Sequence, residues 1–266
     1  MIGADPLDLG GQIALVTGAG QGAGRAIALA LARHNAGGVA VNDFVLERAA
    51  AVATEIEALG VPTLAVAGDV GDRTAVGTVV AGACALGPVT LLVNNAGNAG
   101  PHTTMRLSSL FWETEPAEWD RFFRTNLLGV MNCCHAVLPT MVEQGRGRIV
   151  TIVSDAGRVG EARLAAYSAA KAGAAGFTRA IAREAGRFGI TANAISLSTL
   201  EPALDEPALS EFLSREQAKA HLARYVIRRF GHPTDVAAMA LFLCSDAAGW
   251  ITGQTYPVNG GYSFAA

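Results

Sequence analysis

Five short apolar runs, at residues 13–17, 39–43, 63–67, 91–94 and 149–153, punctuate the first 155 residues of this 266-residue chain, and a segment of helical periodicity separates most of them. Near-continuous apolar runs suit strands buried on both faces, the environment of a parallel sheet. Parallel neighbours need long crossovers, usually helical, and the intervening segments supply them. In one of these, Ala49, Val52, Ile56 and Leu59 recur at spacings of three, four and three, with Gly60 placed to end a helix. A longer helix is expected from Pro116, which suits a first-turn position, towards Met141. The second half adds a helix over residues 165–187 and strands near 191–196 and 255–258. The expected fold is therefore α/β: a doubly wound parallel sheet of about seven strands with helices on both faces. No linker or repeat divides the chain, so one domain is expected over residues 1–266. Residues 198–228 are expected as an insertion over the carboxyl edge of the sheet, where such folds bind ligands.

Composition narrows the function classes. With 51% hydrophobic and 16% charged residues the chain is too apolar for disorder, and a net charge of −3 gives no basic footprint for nucleic acid. Residues 74–105 carry no Asp, Glu, Lys or Arg, but Gly87-Pro88 and the polar run Asn94-Asn95-Ala96-Gly97-Asn98 break the stretch, so a buried helix and strand are expected rather than a membrane span. The first residues show no basic stretch leading into an apolar one, which predicts a cytoplasmic protein without a secretory leader. Cys84, Cys133, Cys134 and Cys244 are expected as reduced, mostly buried thiols. His34, His102, His135, His221 and His232 form no metal-ligand grouping, so no metal is expected.

Directly after the first expected strand the chain reads Thr17-Gly18-Ala19-Gly20-Gln21-Gly22-Ala23-Gly24 and opens onto a helix. Glycines let a backbone turn tightly and approach a pyrophosphate, whose charge a helix N-terminus favours. Asp43 ends the second strand, 19 residues beyond Gly24, where a carboxylate can accept the ribose hydroxyls of NAD and repel the extra phosphate of NADP. No basic residue stands at Phe44 or at Gln21, which again favours NAD. A second signal is Lys171, one of only two lysines, four residues after Tyr167. Residues four apart share a helix face, and chance placement of four tyrosines and two lysines gives only about 0.03 such pairs. A tyrosine ionises near pH 10, so neutral-pH proton transfer needs a shift of roughly three units, which an adjacent ammonium favours.

These residues resemble the short-chain dehydrogenase/reductase superfamily over residues 11–261. The matching motifs are TGAGQGAG at 17–24, Asp69-Val70, NNAG at 94–97, Asn126, Ser154, YSAAK at 167–171 and VNGG at 258–261. The resemblance implies a Rossmann fold that binds NAD through Thr17, Gly18, Gly20, Gln21, Gly22, Ala23, Gly24, Asp43, Asp69, Val70, Asn94, Ala96, Gly97, Tyr167, Lys171, Thr199 and Leu200. It also implies that Tyr167 is the general acid/base and that Ser154 holds the substrate oxygen. Lys171 would bind the nicotinamide ribose and lower the Tyr167 pKa, and Asn126 would hold a water linking Lys171 to solvent. One segment departs from the pattern. The family usually has Pro-Gly after the sixth strand and a threonine shortly beyond, whereas this chain reads Leu197-Ser198-Thr199-Leu200-Glu201-Pro202, so the Thr199 hydroxyl and the Leu200 backbone are expected to meet the carboxamide instead.

The expected activity is interconversion of a secondary alcohol and a ketone. The segment SDAGRVG, with HAVLPTMV upstream, is most similar to bacterial members acting on ring-bearing hydroxyacyl-CoA substrates. A free small or steroid-like alcohol is the alternative substrate, and a non-catalytic NAD(H)-binding sensor or scaffold is the alternative class. Arg224, Arg228 and Arg229 are expected on a solvated helix face, or else towards a phosphate-bearing substrate. The loop 98–114 and residues 200–228 are expected to set specificity. Small residues at 172–176 suggest close subunit packing, so a homotetramer or homodimer is expected.

Overall fold

In a computed structural model that describes residues 5–97, 109–202 and 204–264, seven strands form one sheet. The strands are β1 (Ile13–Val16), β2 (Gly38–Asp43), β3 (Thr63–Ala67), β4 (Val89–Asn94), β5 (Gly147–Ser154), β6 (Ile190–Leu197) and β7 (Thr255–Val258). Their spatial order is β3-β2-β1-β4-β5-β6-β7, and every neighbouring pair is parallel. Residues of β1, β2 and β4 are all buried, as strands covered on both faces must be. The helices are α1 (Gly22–Arg33), α2 (Leu46–Glu57), α3 (Arg73–Ala83), α4 (Pro116–Phe123), α5 (Gly129–Gln144), α6 (Ala156–Val159), α7 (Ala165–Ala185), α8 (Ala208–Ser214), α9 (Glu216–Leu222) and α10 (Pro233–Cys244).

Side chains alternate across each strand, and the alternation sorts the interior into two layers. Ala14, Val16, Val39 and Val41 pack with α1, α2 and α10 through residues such as Ile27, Val52 and Leu241. Leu15, Ala40 and Leu92 pack on the other face with Val79, Val137 and Ala174 of α3, α5 and α7. The strand order reverses between β1 and β4, so their carboxyl ends diverge there and leave a crevice.

The expected strands all form, most with ends moved by one or two residues. The helix expected from Pro116 to Met141 is different. It is broken at Arg124–Leu128 by one wide π turn, so α4 and α5 are separate segments of one rod. A π turn leaves backbone groups out of the regular ladder and is frequent at functional sites. The 198–228 stretch holds α8 and α9, and among its described residues only 198–200 line the main crevice. Cys133, Cys134 and Cys244 are buried free thiols, and burial pushes Cys134 and Cys244 up to about 12; Cys84 is exposed, against expectation. Among the described residues no helix is long and apolar enough to cross a membrane, and no group of His, Cys, Asp and Glu could hold a metal.

Candidate active site

A cleft of about 770 Å³ follows the carboxyl ends of the strands at the β1/β4 switch. At one end Gly18, Gln21, Gly22 and Ala23 line it, the turn between β1 and α1. Gly18 has φ +61, and a Cβ there would stand 2.8 Å from Ala96 Cα, so only glycine allows the turn and the close approach together. No side chain caps the N-terminus of α1, which leaves its first amides facing the cleft. Gly22, at φ +55, has nothing within 4 Å of where a Cβ would point. Open space, unclaimed amides and a positive helix end together fit a pyrophosphate.

Thr17, Gly20, Gly24 and Asn94 take a different position from the contact role expected of them. They stand behind the lining and brace it. Thr17 is buried, and its hydroxyl accepts the amides of Asn95 and Ala96, each at 3.1 Å. Asn95 then donates through Nδ2 to the carbonyls of Thr17 at 3.0 Å and Gly18 at 2.9 Å. Asn95 therefore holds the glycine turn, and it lines the cleft with Ala96 and Gly97. Asn94 is buried beneath, donating to Cys134 Sγ at 3.4 Å. The repeated asparagine in NNAG hid this division of labour. Gly20 and Gly24 matter for what they leave out, since a Cβ at Gly24 would lie 2.3 Å from Gly18 O.

Asp43, Asp69 and Val70 line the same cleft. Asp43 is fixed by two backbone amides, Gly20 N to Oδ2 and Val45 N to Oδ1, both 3.0 Å. Asp69 accepts Gly71 N at 2.8 Å and faces Arg124 at 3.6 Å. Sequence reasoning missed Arg48, which also lines the cleft beside Asp43. Its signal was position: the third residue of α2 lies over the strand end that carries Asp43.

The far end holds Ser154, Tyr167 and Lys171. Ser154 is the last residue of β5, and Tyr167 and Lys171 are four apart on α7. α6 is pressed against α7 because Gly157 allows it: a Cβ there would come within 2.8 Å of Ala172 N. Phe122 of α4 packs edge-on against the Tyr167 ring at 6.0 Å. Lys171 is buried, donates from Nζ to Ile152 O at 2.8 Å, and lies 5.9 Å from the Tyr167 ring centre. Asn126, in the π turn, is fully buried and donates to Phe122 O at 2.8 Å. Asn126 does not line the cleft; its Oδ1 and Lys171 Nζ flank the same point, 3.2 and 3.1 Å from where a Gly97 Cβ would be.

Burial governs the electrostatics at this end of the cleft. Burial raises Tyr167 above its ordinary value, and the hydrogen bond with Ser154 pulls the other way. Burial also lowers Lys171, to about 8. For Tyr167, then, desolvation outweighs the bond with Ser154. Ser154 has two bonds, since its Oγ also accepts Ala156 N at 3.2 Å.

Behind Ser154 lies a hub that the sequence did not disclose. Asp155 is buried and accepts from Ser196 Oγ at 2.7 Å, Arg158 Nη1 at 3.1 Å and Asn259 Nδ2 at 2.6 Å. It joins β5, β6 and the loop after β7. At the departing segment, Ser198, Thr199 and Leu200 line the cleft, but the Thr199 hydroxyl is engaged with His221 Nε2 at 2.9 Å. The three arginines lie beyond α9 rather than on a helix, and each has a partner: Arg224 lies 3.7 Å from Glu161, Arg228 donates to Ala223 O, and Arg229 is bidentate on Asp235. Ala174 and Ala175 of the small-residue stretch are buried in the chain's own interior layer. Loop residues 98–108, including His102, lie outside the described residues.

Comparison with known proteins identifies the family. A family model described as enoyl-(acyl carrier protein) reductase matches residues 18–263. The 3-oxoacyl-(acyl-carrier-protein) reductase FabG of Staphylococcus aureus is 40% identical over 250 residues, 93% of this chain and 96% of that protein. The BbsD subunit of a hydroxy(phenyl)methylsuccinyl-CoA dehydrogenase from Thauera aromatica is 38% identical, covering 96% of this chain and 98% of its own. Among solved structures, a short-chain alcohol dehydrogenase from Sinorhizobium meliloti superposes with a TM-score of 0.85 at 36% identity, covering 97% of this chain and 98% of that one. A 7α-hydroxysteroid dehydrogenase complexed with NADH and 7-oxo glycochenodeoxycholic acid does so at 0.86 and 33%, covering 98% of both chains. On a family match across most of its length and relatives that span nearly all of both chains, this protein belongs to the short-chain dehydrogenase/reductase superfamily of oxidoreductases.

Proposed function

We propose that this chain is an NAD-dependent dehydrogenase/reductase that interconverts a secondary alcohol and a ketone, with Tyr167 as general acid/base. The observation that carries it is one continuous cleft that joins Asp43 at its nucleotide end to Ser154, Tyr167 and Lys171 at the other. Bound there, a nicotinamide would supply the hydride acceptor or donor and, when oxidised, a positive charge near Tyr167. The glycine turn would hold the pyrophosphate and Asp43 a ribose of the same dinucleotide. Ser154 would donate a hydrogen bond to the substrate oxygen, stabilising negative charge as the carbinol proton leaves. Tyr167 would take that proton in oxidation and return it in reduction. Lys171, fixed by Ile152 O, would hold the ribose and favour the tyrosinate.

Asp43 supports NAD because a carboxylate there repels a ribose phosphate, while Arg48 on the same wall pulls towards NADP. Cofactor choice is therefore measured by initial rates with each. For substrate, the two relatives above that act on acyl-carrier or CoA thioesters favour a cyclic or acyl-CoA hydroxy compound. The hydroxysteroid dehydrogenase keeps a free steroid-like alcohol as a second reading. NADH formation at 340 nm across both panels decides between them. Tight NADH binding without turnover of any alcohol, together with no effect of Tyr167→Phe, would sink the enzyme reading in favour of a sensor or scaffold. We also propose a cytoplasmic homotetramer or homodimer, checked by light scattering at micromolar concentration.

A further inference from the structure

After β6 the chain runs through residues 198–200 as a partition with space on both sides. The 770 Å³ cleft lies in front, and a second cavity of about 310 Å³ lies behind, walled by Tyr225, Ile227, Val258 and Gly260 among others. The second cavity offers a ligand little, because its charged groups, Arg229 and Asp235, bind each other at 2.7 and 3.0 Å. Its importance is mechanical. A close-packed interior fixes a segment by contact, and a partition with a void behind it must be fixed by bonds. Backbone bonds hold its far end, where Leu200 bridges to Gly231 and Gly231 N donates to Thr199 O at 3.1 Å.

Side chains hold the near end. Tyr225 is 2% exposed, and its hydroxyl lies 2.6 Å from Ser198 Oγ while accepting the Thr199 amide at 3.1 Å. His221 Nε2 stands 2.9 Å from Thr199 Oγ1 and 3.3 Å from Tyr225 Oη. Both rings are clamped with Phe230 and Tyr262 at centroid distances between 5.2 and 6.2 Å. We propose, resting on the assignment of the cleft to a nicotinamide dinucleotide, that Tyr225 and His221 are positioning residues that latch the 198–200 wall, so that α9 and its following turn set cofactor affinity. With the imidazole proton on Nδ1, Nε2 accepts from the Thr199 hydroxyl. Facing His221 are Arg224, Tyr225, Tyr262, Thr199 and, across the cluster, Glu161; Lys219 of the same helix is paired with Glu216. Burial and Arg224 lower its proton affinity and Glu161 opposes them, which keeps the ring neutral at pH 7. An imidazolium would turn Nε2 from acceptor to donor and reverse the bond to Thr199.

The test uses Tyr225→Phe, which keeps the ring in its cluster, and His221→Gln, with thermal melting as the check on folding. Hydrogen exchange of the Thr199 amide reads the latch without any cofactor, and NADH fluorescence titration reads its consequence. Thr199 exchange should quicken in Tyr225→Phe, and NADH should bind both variants about 3–10-fold more weakly, the worth of one hydrogen bond. Wild-type affinity should fall as the pH is taken below the ordinary imidazole range, while His221→Gln stays flat. Unchanged Thr199 exchange and unchanged NADH affinity in Tyr225→Phe would overturn the latch. Faster exchange with unchanged affinity would overturn its cofactor role alone. A wild type that binds no NADH, yet shows the exchange effect, would instead overturn the proposed function and reduce the latch to architecture.

Discussion

The two ends of the cleft are built by different means. At the glycine turn the backbone does the work: bare amides at the start of α1, a positive φ at Gly18 and forbidden Cβ positions at Gly20 and Gly24. At the reaction end side chains do it, as Lys171 grips Ile152 O, Asn126 grips Phe122 O, and Tyr225 holds the 198–200 wall. A backbone-built site tolerates almost no added atom, whereas a side-chain-built site tolerates shape change but not the loss of a single polar group. The nucleotide end should therefore fail by steric strain and the reaction end by lost chemistry.

The largest effect expected is at Tyr167. Tyr167→Phe removes one oxygen and should lower kcat by about 10³-fold, within the range for acid–base catalysis, with NADH affinity nearly unchanged. Turnover at 340 nm and fluorescence titration together check it, and a matched loss of binding would blur the two-end distinction. Next is Lys171→Met, which should abolish most turnover yet raise stability. The sign follows from a folded-state pKa of about 8, below the ordinary 10.5. Between those values the unfolded chain binds more protons, so the wild type gains stability as pH rises through that window and carries the full penalty below it. The penalty is on the order of 3 kcal/mol. Urea melts at pH 7 and pH 10 should show the variant's advantage shrink at the higher pH.

The steric counterpart is Gly24→Ala. Its new methyl would meet Gly18 O and Asn95 Nδ2, at 2.3 and 2.4 Å, so the turn must move. The expected cost is about 1–3 kcal/mol of stability with weaker NADH binding, read in one denaturation series and one titration. A well-folded variant of unchanged affinity would show the turn to be more pliable than its contacts suggest. The smallest effect belongs to Asp43→Ala, which should shift the ratio of NAD to NADP efficiency by about tenfold towards NADP, about the worth of a hydrogen bond to a charged group. Initial rates with both cofactors measure it, and no shift would assign the choice to Arg48.

The same contrast explains what could be read from the sequence. Apolar runs and glycine spacing are local signals, so the sheet, the turn after β1, Asp43 and the Tyr167–Lys171 pair were all legible. What escaped depends on partners far along the chain. Asp155 meets Ser196 and Asn259, and Tyr225 meets Ser198, across separations that no periodicity records. The π turn at Arg124–Leu128 escaped for another reason, since its composition does not differ from that of a helix. Asn95 was within reach, adjacent to Asn94 in the motif, but only geometry separates a residue that braces from one that lines.

The Asp155 hub has a consequence for the order in which the molecule becomes competent. Its bond to Asn259 closes a span of 104 residues, and contacts of such separation form late in folding because of the entropy of closing the loop. The glycine turn, Asp43 and Asn95 need only the first four strands. A partly folded chain would thus assemble a place for a nucleotide before β7 docks and secures the residue next to Ser154.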